Sequence, residues 1–529
     1  MRKSKIFFGS LALLSMGLYS CSSDEPVVGG GNVADQDGGQ YMAFTITTSG
    51  LGGTRAAQVG KPDEFENAVG DEGKITADKL YFLFFDENGN AFPLSQANVE
   101  GTVTTNMVRP TTITASDESE GDGASTTVTG LLVLGKAAGP GYIGKTPTQV
   151  LCVANPTISL GSLENKNLKA VLEQTTVSPT SWAGQTFLMT SSTYVDDNAV
   201  VTATNVEAKF ADNPEDAKKN PAVLYIERLT AKVRASYDTN GFTVQKRNGE
   251  TVEQTGKFIL DGEEVTFTAE INGWQLRNLA SQGNAFKKLT PAEYTDWTWT
   301  WNDADKHRSY WAESNQGANL RNTTYDIYAA DQFANKNYNA ATPTQNIQYC
   351  YENTGFTGAE LSDRTSSATA MVVKATIKKD GQPIDMLRWA GTYYTPDKLK
   401  DLVATTYNAA HPNTEAKAED VSFVYNNKSD NKYHAVVTIN GTTTDMSDVY
   451  GDLLYWKNGV TSYYLNIEHL GGLTGVVRNH IYDYVLDGIV GLGVPGNDPV
   501  NPQPETESYL AAHVYVLNWH VVSNTLTLE

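Results

Sequence analysis

Few side chains in this chain of 529 residues stand in a pattern that chemistry could use. The seven histidines form no HExxH pair. His469 and His480 could be imagined as two metal ligands, but no cysteine or carboxylate completes a set, and solvent-facing strand histidines are far commoner. There is no P-loop, no GxSxG and no GxGxxG. Cys152 and Cys350 each lie in an apolar strand-like run, without the Gly-rich or His-bearing surroundings of a nucleophile. They could pair, but two buried free thiols are the better expectation. Asp196, Asp197 and Asn198 in VDDNAVV are a fragment of a calcium loop without its remaining ligands. Trp297, Trp299 and Trp301 alternate along TDWTWTW, which makes one strand face aromatic; that serves core packing more often than a sugar platform. The chain therefore reads as non-enzymatic, with no catalytic residue, no metal and no cofactor.

Two residues stand where the chain itself could be processed. Arg2, Lys3 and Lys5 precede an apolar run at 6–18 that is too short to cross a bilayer and ends in small residues, the form of an export signal. Leu18-Tyr19-Ser20-Cys21 resembles a lipobox, with Tyr19 bulkier than usual for that position, so Cys21 is expected to carry lipid and to anchor the chain to an envelope surface. Arg55 lies in SGLGGTRAA (49–57), a Gly-rich stretch read as a flexible loop.

The elements that would position these residues are strands. Thr, Val, Tyr, Asn and Gly are abundant, Tyr alone numbering 27, which is a β-rich composition. The net charge of −21 argues against nucleic acid and against adhesion to anionic lipid. No second apolar segment is long enough to span a membrane. The stretch 22–39 is an acidic, Gly-rich linker. It leads into a strand at 41–48 with period-two alternation, Met42, Phe44 and Ile46 on one face and Ala43, Thr45 and Thr47 on the other. Further strands are expected at 78–86, closed by an Asp86–Gly89 turn, and at 149–154, 187–191 and 223–236. A helix is expected over 163–174 and a surface loop over 116–125. Later strands fall at 257–260, 265–271, 370–377, 433–439 and 462–467, with a short helix at 396–407. No βαβ spacing recurs, so the fold class is mainly β, with antiparallel sheets and a few short helices. The length allows two or three domains. The expected layout is a signal peptide at 1–20, a segment at 21–55 with the first strand and Arg55, which the resemblance given below makes a removable propeptide, and β-sandwich domains at 56–237 and 238–493. A Pro-rich linker follows at 494–507, then a terminal strand at 508–529. In that last segment Leu510, Ala512, Val514 and Val516 share one face; Leu517, Trp519 and Val521 take the opposite parity, which suggests a bulge near 516–517.

The C-terminal third carries Tyr463-Tyr464-Leu465-Asn466-Ile467-Glu468-His469, then Val476-Val477-Arg478-Asn479-His480-Ile481-Tyr482, then Gly491-Leu492-Gly493, the Pro-rich linker and a last strand with Trp519. Upstream stand Phe187-Leu188-Met189-Thr190 and Ile226-Glu227-Arg228-Leu229-Thr230-Ala231-Lys232-Val233. In this order they resemble the fimbrillins of Bacteroides-type bacteria, the type V pilins, and most closely the minor fimbrium shaft-subunit family, nearly end to end. The resemblance implies two transthyretin-like β-sandwich domains and a lipidated precursor at the outer membrane. It also implies an arginine-specific surface protease that cuts between Arg55 and Ala56, removing Met42, Phe44 and Ile46 with the first strand. The donor strand of a neighbouring copy, carrying Val514, Val516, Leu517, Trp519 and Val521, would then fill the vacated groove. Implied partners are further copies of the chain, fimbrial anchor and tip subunits, and host or bacterial surface ligands. The membrane is touched only through the lipid of the precursor, and the mature protein is expected in the extracellular fimbrium. A tip or anchor role within the same superfamily, and a surface glycan-binding lipoprotein, are the competing expectations.

Overall fold

Two continuous apolar runs set the interior of the first sheet. Leu80–Phe85 (β2) and Gln149–Ala154 (β6) pair antiparallel and lack alternation because both of their faces are covered. Phe82, Phe84, Val150 and Cys152 enter one core; Leu83, Phe85, Leu151 and Val153 enter another on the opposite face. The structure is a computed structural model that describes residues from Gln40 to Asn524, except 49–73, 99–100, 119–124, 179–185, 197–198, 238–240, 249–250, 254–255, 290–297, 301–305, 310, 316–319, 322–327, 330–346, 356–366, 427–431, 452, 470–473, 497–508 and 518–521.

The fold is mainly β, in the manner of a β-sandwich, with short helices only. The first sheet has nine strands. Its further members are Gln40–Thr48 (β1), Met107–Val108 (β3), Ile113–Glu118 (β4), Ser125–Leu134 (β5), Met189–Ser191 (β7) and Ala222–Arg228 (β8), with the two-residue strand Thr204–Asn205 paired to β6 off the main path. Their order is β3-β2-β6-β7-β8-β1-β5-β4. The first strand among the described residues thus lies inside the sheet, between two strands far from it in sequence.

The second sheet has thirteen strands. Its path uses Thr230–Tyr237 (β9), Gly241–Asn248 (β10), Thr268–Arg277 (β11), Ile347–Tyr351 (β12), Ala370–Lys379 (β13), Val460–Asn466 (β14), Ile481–Val490 (β15) and Val494–Pro495 (β16). The order is β12-β9-β15-β10-β11-β13-β14-β16. Tyr509–Leu517 (β17) lies off this path on β15, and Val522–Asn524 (β18) pairs β17. The core of this sheet gathers Val233, Ile271, Trp274, Val373, Leu465, Tyr482 and Ile489. A third core, with Leu151, Leu229, Phe286 and Tyr351, draws from strands of both sheets.

β13 and β14 are hydrogen-bonded antiparallel neighbours, from Ala370↔Asn466 to Thr376↔Val460, yet residues 380–459 separate them. A direct hairpin needs only a few residues. The insert carries its own core, in which Leu399, Val403 and Tyr407 of the helix Pro396–Ala410 meet Val421, Val437 and Tyr450.

Several sequence expectations change in physical detail. The helix at 163–174 shortens to Leu168–Leu172, because Asn165 takes a positive φ of 55° and Asn167 caps the helix through Ala170 N–H. The run at 223–236 divides at Leu229, and its two halves join different sheets. Both ends of 116–125 are strand rather than loop. The linker at 494–507 begins with β16, whose Pro495 is tolerated because the strand is an edge. In the terminal segment β17 and β18 pair antiparallel, with Val516 opposite Val522.

Candidate strand-exchange site

β1 forms because its alternation fits a pleated surface with one apolar face. Met42, Phe44 and Ile46 are completely or almost completely buried, and Ala43 is covered on the other face. One edge of β1 pairs antiparallel with β5 along its whole length, from Gln40↔Leu134 to Thr48↔Thr126. The other edge runs parallel to β8, from Phe44↔Ala222 to Thr47↔Tyr225. Tyr41 also exchanges backbone hydrogen bonds with Ala211, at 2.8 and 2.9 Å. The Phe44 ring packs 4.6 Å from that of Phe82 and lies over Gly130, its cross-strand neighbour. A Cβ at Gly130 would fall 2.5 Å from the Phe44 ring, so this glycine is the slot for that ring. Gly130 was not singled out by sequence; its meaning depends on which strand it faces.

β17 occupies a different setting. Its one edge pairs antiparallel with β15, from Ile481↔Leu517 to Val490↔Tyr509, with a shift in β15 between Leu486 and Gly488. Its other edge carries, among the described residues, the short β18. Val514, Val516 and Leu517 are therefore on a backbone paired within their own chain. The expected bulge lies in the partner strand instead. Trp519 and Val521 fall outside the described residues, as do Cys21, Arg55 and Ala56.

Between the two settings lies a buried ionic junction. Glu227 and Arg228 end β8, and Thr230 begins β9. Lys287 Nζ donates to Glu227 Oε2 at 2.9 Å, with both side chains essentially inaccessible. Arg228 Nη1 donates to Asn479 Oδ1 at 3.2 Å. Arg478 forms a two-point pair with Glu352, its Nε donating to Oε2 at 2.8 Å, and its Nη2 also donates to Asn284 O at 2.7 Å. Backbone bonds Asn479 N–H to Thr230 O (2.7 Å) and Lys232 N–H to His480 O (2.9 Å) complete the junction. The sequence displayed these charges within strand-like motifs, but not that they would be buried together.

His469 and His480 do meet, with ring centroids 4.9 Å apart, but they are buried rather than solvent-facing. His469 Nδ1 lies 2.9 Å from the Tyr482 hydroxyl, which also accepts the Val477 N–H at 2.7 Å. Among the described residues no group of three or more His, Cys, Asp or Glu side chains could hold a metal. Cys152 and Cys350 are buried free thiols in separate cores. Burial pushes both thiols up, Cys350 to about 12. Asp196 ends one strand of the hairpin Tyr194–Asp196 and Ala199–Val201. Trp299 sits in the short strand Thr298–Thr300.

No family model matches the chain, and no curated protein does. Solved structures match along most of its length. A proposed cell adhesion protein from Parabacteroides distasonis is 11% identical at a TM-score of 0.37, covering 92% of this chain and 98% of its own. A fimbrial assembly protein from the same organism is 11% identical at 0.30, covering 77% and 98%. The C-terminally truncated tip fimbrial protein Mfa3 from Porphyromonas gingivalis is 9% identical at 0.27, covering 90% and 99%. The chain is similar to adhesion and fimbrial proteins.

Proposed function

We propose that this chain is a structural, non-enzymatic subunit of the shaft of a surface fimbrium. It is exported as a lipoprotein through Cys21, cut between Arg55 and Ala56 by an arginine-specific surface protease, and polymerised by β-strand donation. The observation that carries the proposal is the position of β1: the first strand of the unit, yet paired on both edges inside a sheet, and followed by the segment that holds Arg55. Its removal interrupts no connection between the other described strands. It would leave an apolar groove that had held Met42, Phe44 and Ile46, whose burial contributes about 5–9 kcal/mol. An open apolar edge of this kind recruits another strand. β1 and β17 are both nine residues long, and Leu510, Ala512, Val514 and Val516 offer one apolar parity to the groove. Donation requires β17 to leave β15 of its own chain first.

Further copies of the chain, anchor and tip subunits, and host or bacterial surface ligands are the partners on this proposal, in supporting adhesion and biofilm formation. The insert at 380–459, with its own core, favours a second reading as a tip or anchor adhesin. Negative-stain imaging of expressing cells separates the two. A shaft subunit yields filaments that vanish with Val516→Asp; a tip or anchor subunit yields none by itself.

A further inference from the structure

The strand-exchange groove and the docked terminal strand are linked through one run of chain, β8 and β9, and through β15, which pairs with both β9 and β17. β8 bears β1 on its edge as far as Tyr225, opposite Thr47. Three residues on, about 10 Å along the strand, Arg228 is bonded to Asn479. After Leu229 the same chain becomes β9, which runs parallel to β15 from Lys232↔Ile481 to Tyr237↔Leu486. Asn479 lies two residues before Ile481, the β15 residue opposite Leu517 of β17. The path from the edge of β1 to the end of β17 therefore crosses one strand switch, and that switch is the buried junction.

We infer that this junction couples the two strands, so that loss of β1 loosens β17 and loss of β17 loosens β1. Two features make the switch stiff. Lys287 and Glu227 pair where water does not reach, so neither can move off the other without stranding a buried charge. The Asn479–Thr230 and Lys232–His480 backbone bonds fix the start of β15 to the start of β9. At its other edge β8 pairs with the three-residue β7 opposite Ile226 to Arg228, and Ser192 N–H donates to Tyr225 O at 2.8 Å, so the hold there begins at the last residue that β1 covers. When β1 leaves, the segment Ala222–Leu224 loses its strand partner, and the displacement that follows must be taken up at Glu227 and Arg228. Coupling through a shared element is reciprocal. The inference gives the proposed strand exchange an order, with β17 released where β1 has gone, but its test does not require filaments.

Hydrogen exchange of the full chain provides the test. Phe44→Ala, which loosens β1, should raise exchange in β1 and also in β17 by about tenfold, while the insert strands Val421–Asn426 and Lys432–Ile439 stay unchanged. Val514→Pro, which breaks the ladder of β17, should raise exchange in β1 by a similar factor. Glu227→Gln combined with Lys287→Met keeps the volume of the junction and should abolish both cross-effects while leaving the local ones. Faster exchange in β1 with β17 unchanged, measured in the single Phe44→Ala variant, would overturn the inference. Coupling that persists in a chain that never forms filaments would leave it standing and remove the fimbrial proposal instead.

Discussion

β1 and β17 are strands of equal length at opposite ends of the same unit, and they are held in opposite ways. β1 is clamped on both edges and drives three side chains into the core of the first sheet. Among the described residues, β17 leans on one long strand, β15, and carries the three-residue β18 on its other edge. An element clamped on both sides cannot leave without opening a groove, whereas an element paired along one long edge has fewer ladder bonds to break. On the proposed function, β1 is the strand whose removal matters and β17 the strand that travels.

The largest effect that could break this contrast is a buried charge. Phe44→Asp should destabilise the full chain by about 4 kcal/mol or more, and by more than Val514→Asp. Equal losses in denaturant titrations of the two variants would erase the distinction. Gly130→Ala is a narrower probe. Its Cβ meets the Phe44 ring, so it should cost about 1–3 kcal/mol while β1 is in place. The cost should disappear in the double variant Gly130→Ala with Phe44→Ala, which a double-mutant cycle reads directly.

The two free thiols report on the two cores separately. Both are raised by burial, so neither should react with a disulfide reagent at pH 8.5 in the intact chain, although an ordinary thiol is about half ionised there. Release of β1 opens the core that holds Cys152 and should make that thiol reactive while Cys350 remains silent. A raised acid favours the native state while it stays protonated. That contribution is complete below about pH 8.5 and is lost as pH rises toward the folded value of about 12 for Cys350. Native stability should therefore fall across that alkaline window, and Cys350→Ala should flatten the slope. The smallest effect lies in the insert, away from both strands. Ala390 holds a φ of 48° in the turn before Gly391, so Ala390→Asn should stabilise by about 0.5–1 kcal/mol without changing the exchange of β1 or β17.

What the sequence displayed and what it hid follow the range of the interactions. Alternation from Met42 to Thr47 was enough to mark β1 and its inner face, because a strand's period is local. The runs at 80–85 and 149–154, the Asp86–Gly89 turn and the helix after Thr395 were legible for the same reason. The helix over 163–174 misled because hydrophobic spacing says nothing of Asn165, whose backbone leaves the helical region. Leu229 sits in an unbroken apolar-and-charged pattern, so nothing local announces that its two sides belong to different sheets. Lys287 is 60 residues from Glu227, and Arg478 is 126 from Glu352. No spacing rule reaches so far. The parallel pairing of β1 with β8 is equally remote, and it is what turns a plausible edge strand into an interior one.

The central claim is that Gln40–Thr48 is an exchangeable strand whose place is taken by Tyr509–Leu517 of another copy. Native mass spectrometry of the full chain after limited cleavage by an arginine-specific protease tests it most directly. The account predicts loss of the peptide ending at Arg55, together with a ladder of oligomers that each lack one such peptide per added subunit, and no ladder from Val516→Asp. A cleaved chain that keeps its N-terminal peptide bound and stays monomeric, or a ladder that forms equally well from Val516→Asp, would contradict it.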